Sequence, residues 1–184
     1  MSFGYWEVAL AVLIPATLYA SWVDYSQKRV PNWLNASLAA AGLITQAVFG
    51  GWSGLGTGAL GLLVGFGLLI LPWAFHGMGA GDVKLMAAIG AWLGPWLTLV
   101  SFAVGALLAG VVAVVMIVAG GRTMHAYLNL QTILAKFRRL DTAFSEFGGA
   151  RSFGQSSQLL PYGVPLTAGT IGVLLTYYFG GWLP

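Results

Sequence analysis

Apolar runs take up most of this chain. Hydrophobic stretches cover about 5–23, 34–49, 55–75, 83–93, 96–119 and 159–179, separated by glycine pairs, prolines or short polar segments. A helix needs roughly 20 apolar residues to cross the hydrocarbon core of a bilayer. Only 7% of the 184 residues are charged and 58% are hydrophobic, whereas soluble domains carry about 25% charged residues. A water-soluble globule of this composition would expose large apolar patches and aggregate. The chain is therefore expected to be all-α and polytopic, with about six transmembrane helices and lipid as its solvent.

One membrane domain, 1–184, is expected, with 122–158 forming a loop outside the bilayer. The fourth run is too short to cross unless it begins or ends in a cavity. The first run does not read as a removable signal peptide, because no basic segment precedes it and Trp and Tyr flank it. Lys28 and Arg29 follow the first run, Lys84 follows the third, and Arg122, Lys136, Arg138, Arg139 and Arg151 follow the fifth. Six spans of alternating direction place all eight basic residues on one side. Basic loops mark the cytoplasmic side, so the N-terminus is expected outside. The net charge of +3 is then a topology signal, and nucleic acid is not expected as a partner.

Residues 127–147 read as a surface helix. Leu130, Ile133, Leu134, Phe137, Leu140, Phe144 and Phe147 fall on one face, and Lys136, Arg138, Arg139 and Glu146 fall elsewhere. Such a helix can lie in the headgroup layer, where basic residues meet anionic lipid, or serve as a linker that covers the bundle. The chain has no cysteine, which excludes a thiolate nucleophile and a zinc–thiolate site. His76 and His125 stand alone, without the clustered ligands a metal needs.

The five acids are informative because they are so few. Glu7 falls near the outer face, and Asp141 and Glu146 ride on the amphipathic segment. Asp24 ends the first span and Asp82 sits between the third and fourth, so both reach the same level on the cytoplasmic side. Ionisable groups at membrane depth are costly and tend to face a cavity or each other. Two carboxylates brought close do not both ionise easily, so one holds a proton while the other does not. The ionised member can take a proton from water and the protonated one can donate to a carbonyl oxygen. That chemistry needs no metal and no cofactor. Gly77, Gly79 and Gly81 are expected to form a bare loop beside Asp82, open to a substrate strand or to close packing. Lys84 could favour an ionised neighbour or meet an acidic substrate residue, or simply snorkel to the interface. Pro31-Asn32 is expected to shape the start of the second span. Pro161 and Pro165 are expected to break the last span near the acids.

These residues carry a family resemblance. "GAGD", Gly79 to Asp82, is similar to the GxGD motif of intramembrane aspartyl proteases. "DYSQKRVPNWL", with Asp24, Pro31 and Asn32, resembles the other block of the type IV prepilin peptidases, and "GDVKL" continues their pattern. "LPYGVPLTAG", residues 160–169, resembles their last-helix block. The resemblance implies an enzyme of the bacterial inner membrane that cuts the basic leader from prepilins or pseudopilins at the cytoplasmic face. Asp24 and Asp82 match the catalytic positions. Gly79, Gly81, Lys84, Pro161 and Gly163 would shape the site. Many members also methylate the new terminus and carry a four-cysteine zinc domain ahead of the first span. This chain starts at span one and lacks cysteine, so it resembles the minimal form of tight-adherence (Tad/Flp) pilus systems. Two other readings use the same residues: a small proton-coupled transporter or channel, and a non-catalytic assembly subunit.

Overall fold

Without a hydrophobic drive between helices in lipid, a membrane bundle packs through small residues that let backbones approach. The computed structural model describes residues 4–27, 31–74, 79–119 and 163–180, and this pattern runs through it. Four helices follow in order: α1 (Tyr5–Gln27), α2 (Asn32–Ala74), α3 (Ala80–Ala119) and α4 (Gly163–Gly180). Three segments, Tyr5–Gln27, Asn32–Ala74 and Ala80–Val115, are long and apolar enough to cross a membrane. The expectation of an all-α membrane protein is met at that level.

Two compact units divide the chain, Met1–Ala109 with Pro161–Pro184, and Gly110–Leu160. In the second, the described part is the end of α3, where Val111, Val112, Val114 and Val115 are exposed, as lipid-facing residues would be. The first unit holds both Asp24 and Asp82.

α1 opens with Gly4 donating its N–H to Glu7 Oε2 at 3.1 Å, a side-chain cap on an otherwise unpaired donor. Two glycines break the long helices. Gly51 (φ 58°) interrupts α2 and Gly94 (φ 72°), followed by Pro95, interrupts α3. Both lie in the left-handed region that only glycine visits at little cost. After Gly51 the chain runs back along itself, so that Gly58 packs against Leu43 and Gln46. Beyond it, Gly61 meets Gly90 and Gly94, and Gly65 meets Met86. The second half of α2 is thus antiparallel to the first half of α3. The second half of α3 meets α4 in the same way, Gly105 against Pro165 and Leu166, and Gly169 against Ser101.

The first half of α3 is the centre of this unit. From Asp82 to Leu93 every residue except Lys84 is buried. Leu85, Ala88, Ile89, Trp92 and Leu93 pack with Ala9, Leu13 and Ala20 of α1, Leu34 and Leu38 of α2, and Val173 and Leu174 of α4. Trp92 donates its indole N–H to the Leu38 carbonyl at 2.8 Å. Its own carbonyl accepts from Gln46 Nε2 at 3.1 Å and from the Tyr5 hydroxyl. These bonds answer the polar groups that the Gly94 break exposes.

Some expectations shift. α1 runs to Gln27, so Asp24 lies inside a helix rather than after it. α3 starts at Ala80, so Gly81 and Asp82 are helical and the expected bare loop does not include them. Pro165 is the third residue of α4, where a missing N–H interrupts nothing, so it does not break the last helix. Lys28, Arg29, His76, Gly77, His125, the amphipathic segment 127–147 and Pro161 lie outside the described residues.

Candidate active site

Asp24 belongs to a stripe. The buried residues of α1 include Ala9, Leu13, Thr17, Ala20 and Asp24, a spacing of three and four that marks one helix face. The carboxyl therefore points into the bundle, and only 7% of the residue is exposed. Asp82 occupies the first turn of α3 and is 6% exposed. The two acids come from distant parts of the chain, and the structure brings them close enough for their charges to interact.

Both acids lie at the start of a helix, Asp24 facing that of α4 and Asp82 within that of α3, and the Asp24 carboxyl meets a backbone N–H there. Gly163, the first residue of α4, donates to Asp24 Oδ2 at 3.2 Å. At Asp82 the bond runs the other way: the Asp82 N–H donates to the carbonyl of Gly79, the residue just ahead of α3, at 3.2 Å. Helix starts carry unpaired donors and a positive dipole end, so they suit an anionic oxygen. The sequence pairs the acids with these ends through glycine. A Cβ on Gly163 would lie 2.7 Å from Asp24 Oδ2, too close for the present arrangement. A Cβ on Gly79 would lie 3.6 Å from Asp82 Oδ2, an ordinary contact.

Polar groups one turn away hold these ends. Ser21 Oγ is 2.6 Å from Thr167 Oγ1 and 3.2 Å from the Gly163 carbonyl, and Thr167 Oγ1 donates to the Thr17 carbonyl at 3.2 Å. Asn35 of α2 donates Nδ2 to the Gly81 carbonyl at 3.3 Å. Sequence reading missed Ser21, Asn35 and Thr167. For two of them spacing was a partial signal, since Ser21 stands one turn before Asp24 and Thr167 one turn after Gly163. Lys84 is exposed and donates to Asn32 Oδ1 at 2.8 Å, tying the start of α2 to the start of α3.

Comparison with known proteins gives the family. A family model described as the type IV leader peptidase family matches residues 11–114, more than half of the chain. The chain belongs to the type IV leader peptidase family. Both acids fall inside the matched stretch, and Gly163 falls outside it. The prepilin leader peptidase/N-methyltransferase of Aeromonas hydrophila is 36% identical over 115 residues, covering 56% of this chain and 39% of that protein. The one of Neisseria gonorrhoeae is 35% identical over 129 residues, covering 65% and 45%. The chain thus spans less than half the length of the curated relatives it matches. No solved structure matches it significantly.

Proposed function

We propose that this member of the type IV leader peptidase family is an aspartic endopeptidase that removes the leader of prepilins or pseudopilins, of the Tad/Flp type. The observation that carries the reading is the convergence of Asp24 and Asp82, both enclosed, one facing the start of α4 and the other in the first turn of α3, and both within the family match. One carboxyl is ionised and the other protonated. The ionised one takes a proton from a water whose oxygen attacks the scissile carbonyl carbon, while the protonated one gives its proton to the carbonyl oxygen. A gem-diol results. The first acid then passes its proton to the amide nitrogen as the C–N bond breaks, and one diol hydroxyl returns a proton to the second. Peptide and water are consumed, a carboxylic acid and an amine are formed, and the pair is restored. The Gly163 N–H steadies the Asp24 oxygen that accepts or releases the proton. Gly79 and Gly81 keep the start of α3 slim beside it. Lys84 holds the start of α2, and the segment holding Pro161 leads into Gly163.

The eight basic residues support an inner-membrane topology with the N-terminus outside and the site at the cytoplasmic face. Counting each long helix at its glycine break, with α4, gives six crossings. The test is co-expression with a prepilin and a gel shift. The native chain shortens the substrate, and Asp24→Asn and Asp82→Asn leave it whole. Complete processing by either variant overturns the reading.

A further inference from the structure

Asn35 is an amide set into an apolar helix. It is 4% exposed, and its Nδ2 donates to the carbonyl of Gly81, the residue directly before Asp82. A buried amide is costly unless bonded, and most costly where lipid rather than water surrounds the bundle. Only half of this one is answered. Among the described residues, Asn35 Oδ1 is enclosed with no hydrogen-bond partner, and so is Asp82 Oδ1. A purely structural bond between α2 and α3 accounts for Nδ2 and leaves Oδ1 unexplained. Two enclosed acceptors, one on the residue that bonds Gly81 and one on the residue that follows it, are what a bound N–H or O–H donor would satisfy.

We propose that Asn35 is a positioning residue, fixing the peptide that carries Asp82 through Nδ2 and turning Oδ1 toward an N–H of the substrate peptide or an O–H of the attacking water. The inference rests on the peptidase reading above and adds a third polar group to the acid pair. Of the ionisable groups at this end of the bundle, Asp82 follows the Gly81 that Asn35 bonds, Asp24 interacts with Asp82, and Lys84 is engaged by Asn32.

The test uses the full chain in proteoliposomes with a prepilin substrate, comparing native protein, Asn35→Leu, Asn35→Asp and Asp82→Asn. Asn35→Leu is similar in volume and lacks both polar atoms. It melts close to the native protein and loses activity on the order of 10- to 100-fold, as misplaced catalytic groups do. The new carboxyl of Asn35→Asp, once protonated, again offers a donor to the Gly81 carbonyl. Its activity relative to the native protein therefore climbs as pH falls, while that of Asn35→Leu stays flat. If Asn35→Leu does not fold, the pH dependence of Asn35→Asp decides alone. Activity of Asn35→Leu within twofold of native, or a flat ratio for Asn35→Asp, overturns the inference. Cleavage by Asp82→Asn instead overturns the peptidase reading, so the two failures are told apart.

Discussion

The backbone N–H of Gly163 donates to Asp24 Oδ2 across 3.2 Å, joining the first residue of α4 to the last turn of α1. The bond depends on the missing side chain, because a Cβ at Gly163 would also press on Asp24 Cγ and Cβ at 3.2 and 3.3 Å. Gly163→Ala is expected to push the carboxyl aside or tilt the start of α4. A displacement of about 1 Å in a catalytic group costs on the order of 100-fold, and leader cleavage should fall by that order. Gly79→Ala, with an ordinary contact to Asp82 and its amide kept, should cost less than about tenfold. Initial rates of prepilin cleavage by the two variants check the ranking.

The hydroxyls of Ser21 and Thr167 act on the same end of α4. Thr167 donates to the Thr17 carbonyl and Ser21 reaches both Thr167 and the Gly163 carbonyl. Ser21→Ala and Thr167→Val should each cost about 1 kcal/mol, the usual net worth of such a bond. The pair shares one bond, so the double variant should lose less than the sum of the single losses. Thermal unfolding in detergent measures the cycle. Additive losses would show that the two hydroxyls hold α4 independently.

Much of this was readable from residue order. The scarcity of charge required lipid and helices, and glycine pairs or Gly-Pro marked where helices break, as they do at Gly51 and Gly94. Asp24 and Asp82 stood out because acids are rare in such a chain. Helix boundaries near the acids were less legible. Hydropathy ends a span at the first polar residue, yet the backbone stays helical through Asp24 to Gln27 and is already helical at Ala80. The polar clamps were hidden for a related reason. Ser21, Asn35 and Thr167 are single small polar residues in apolar runs, and nothing local says which carbonyl each will meet. Those partners lie on other helices, set by packing rather than by spacing.

Lys84 offers a separate test of how α2 and α3 meet. Its ammonium donates to Asn32 Oδ1 at 2.8 Å from an exposed position, and exposed charged contacts are worth about 1 kcal/mol or less. Lys84→Met and Asn32→Ala should therefore each lower stability by under about 1 kcal/mol, and the double variant should be little worse than either alone. A double-mutant cycle on thermal unfolding reads the coupling. A large activity loss in Lys84→Met with unchanged melting would instead mean that Lys84 meets the substrate directly.

A very close helix crossing lies away from the acids, at Gly61 and Gly90. A Cβ on Gly90 would overlap the Gly61 carbonyl and come within 2.7 Å of its carbon, and one on Gly61 would lie 2.7 Å from the Gly94 Cα. These obstacles are backbone, which cannot rotate away as a side chain could. In lipid the apolar effect does not draw helices together, so the contact made by this approach is itself the stabilising term. Gly90→Ala should therefore destabilise the bundle by about 1–3 kcal/mol, the usual cost of overpacking. Gly172→Ala, where a Cβ meets nothing within 4 Å, should be neutral or slightly stabilising, because alanine favours a helix over glycine by about 1 kcal/mol. Thermal unfolding of both variants in the same detergent checks the contrast. Equal melting temperatures would mean that the second half of α2 and the first half of α3 do not approach as closely as Gly61 and Gly90 indicate.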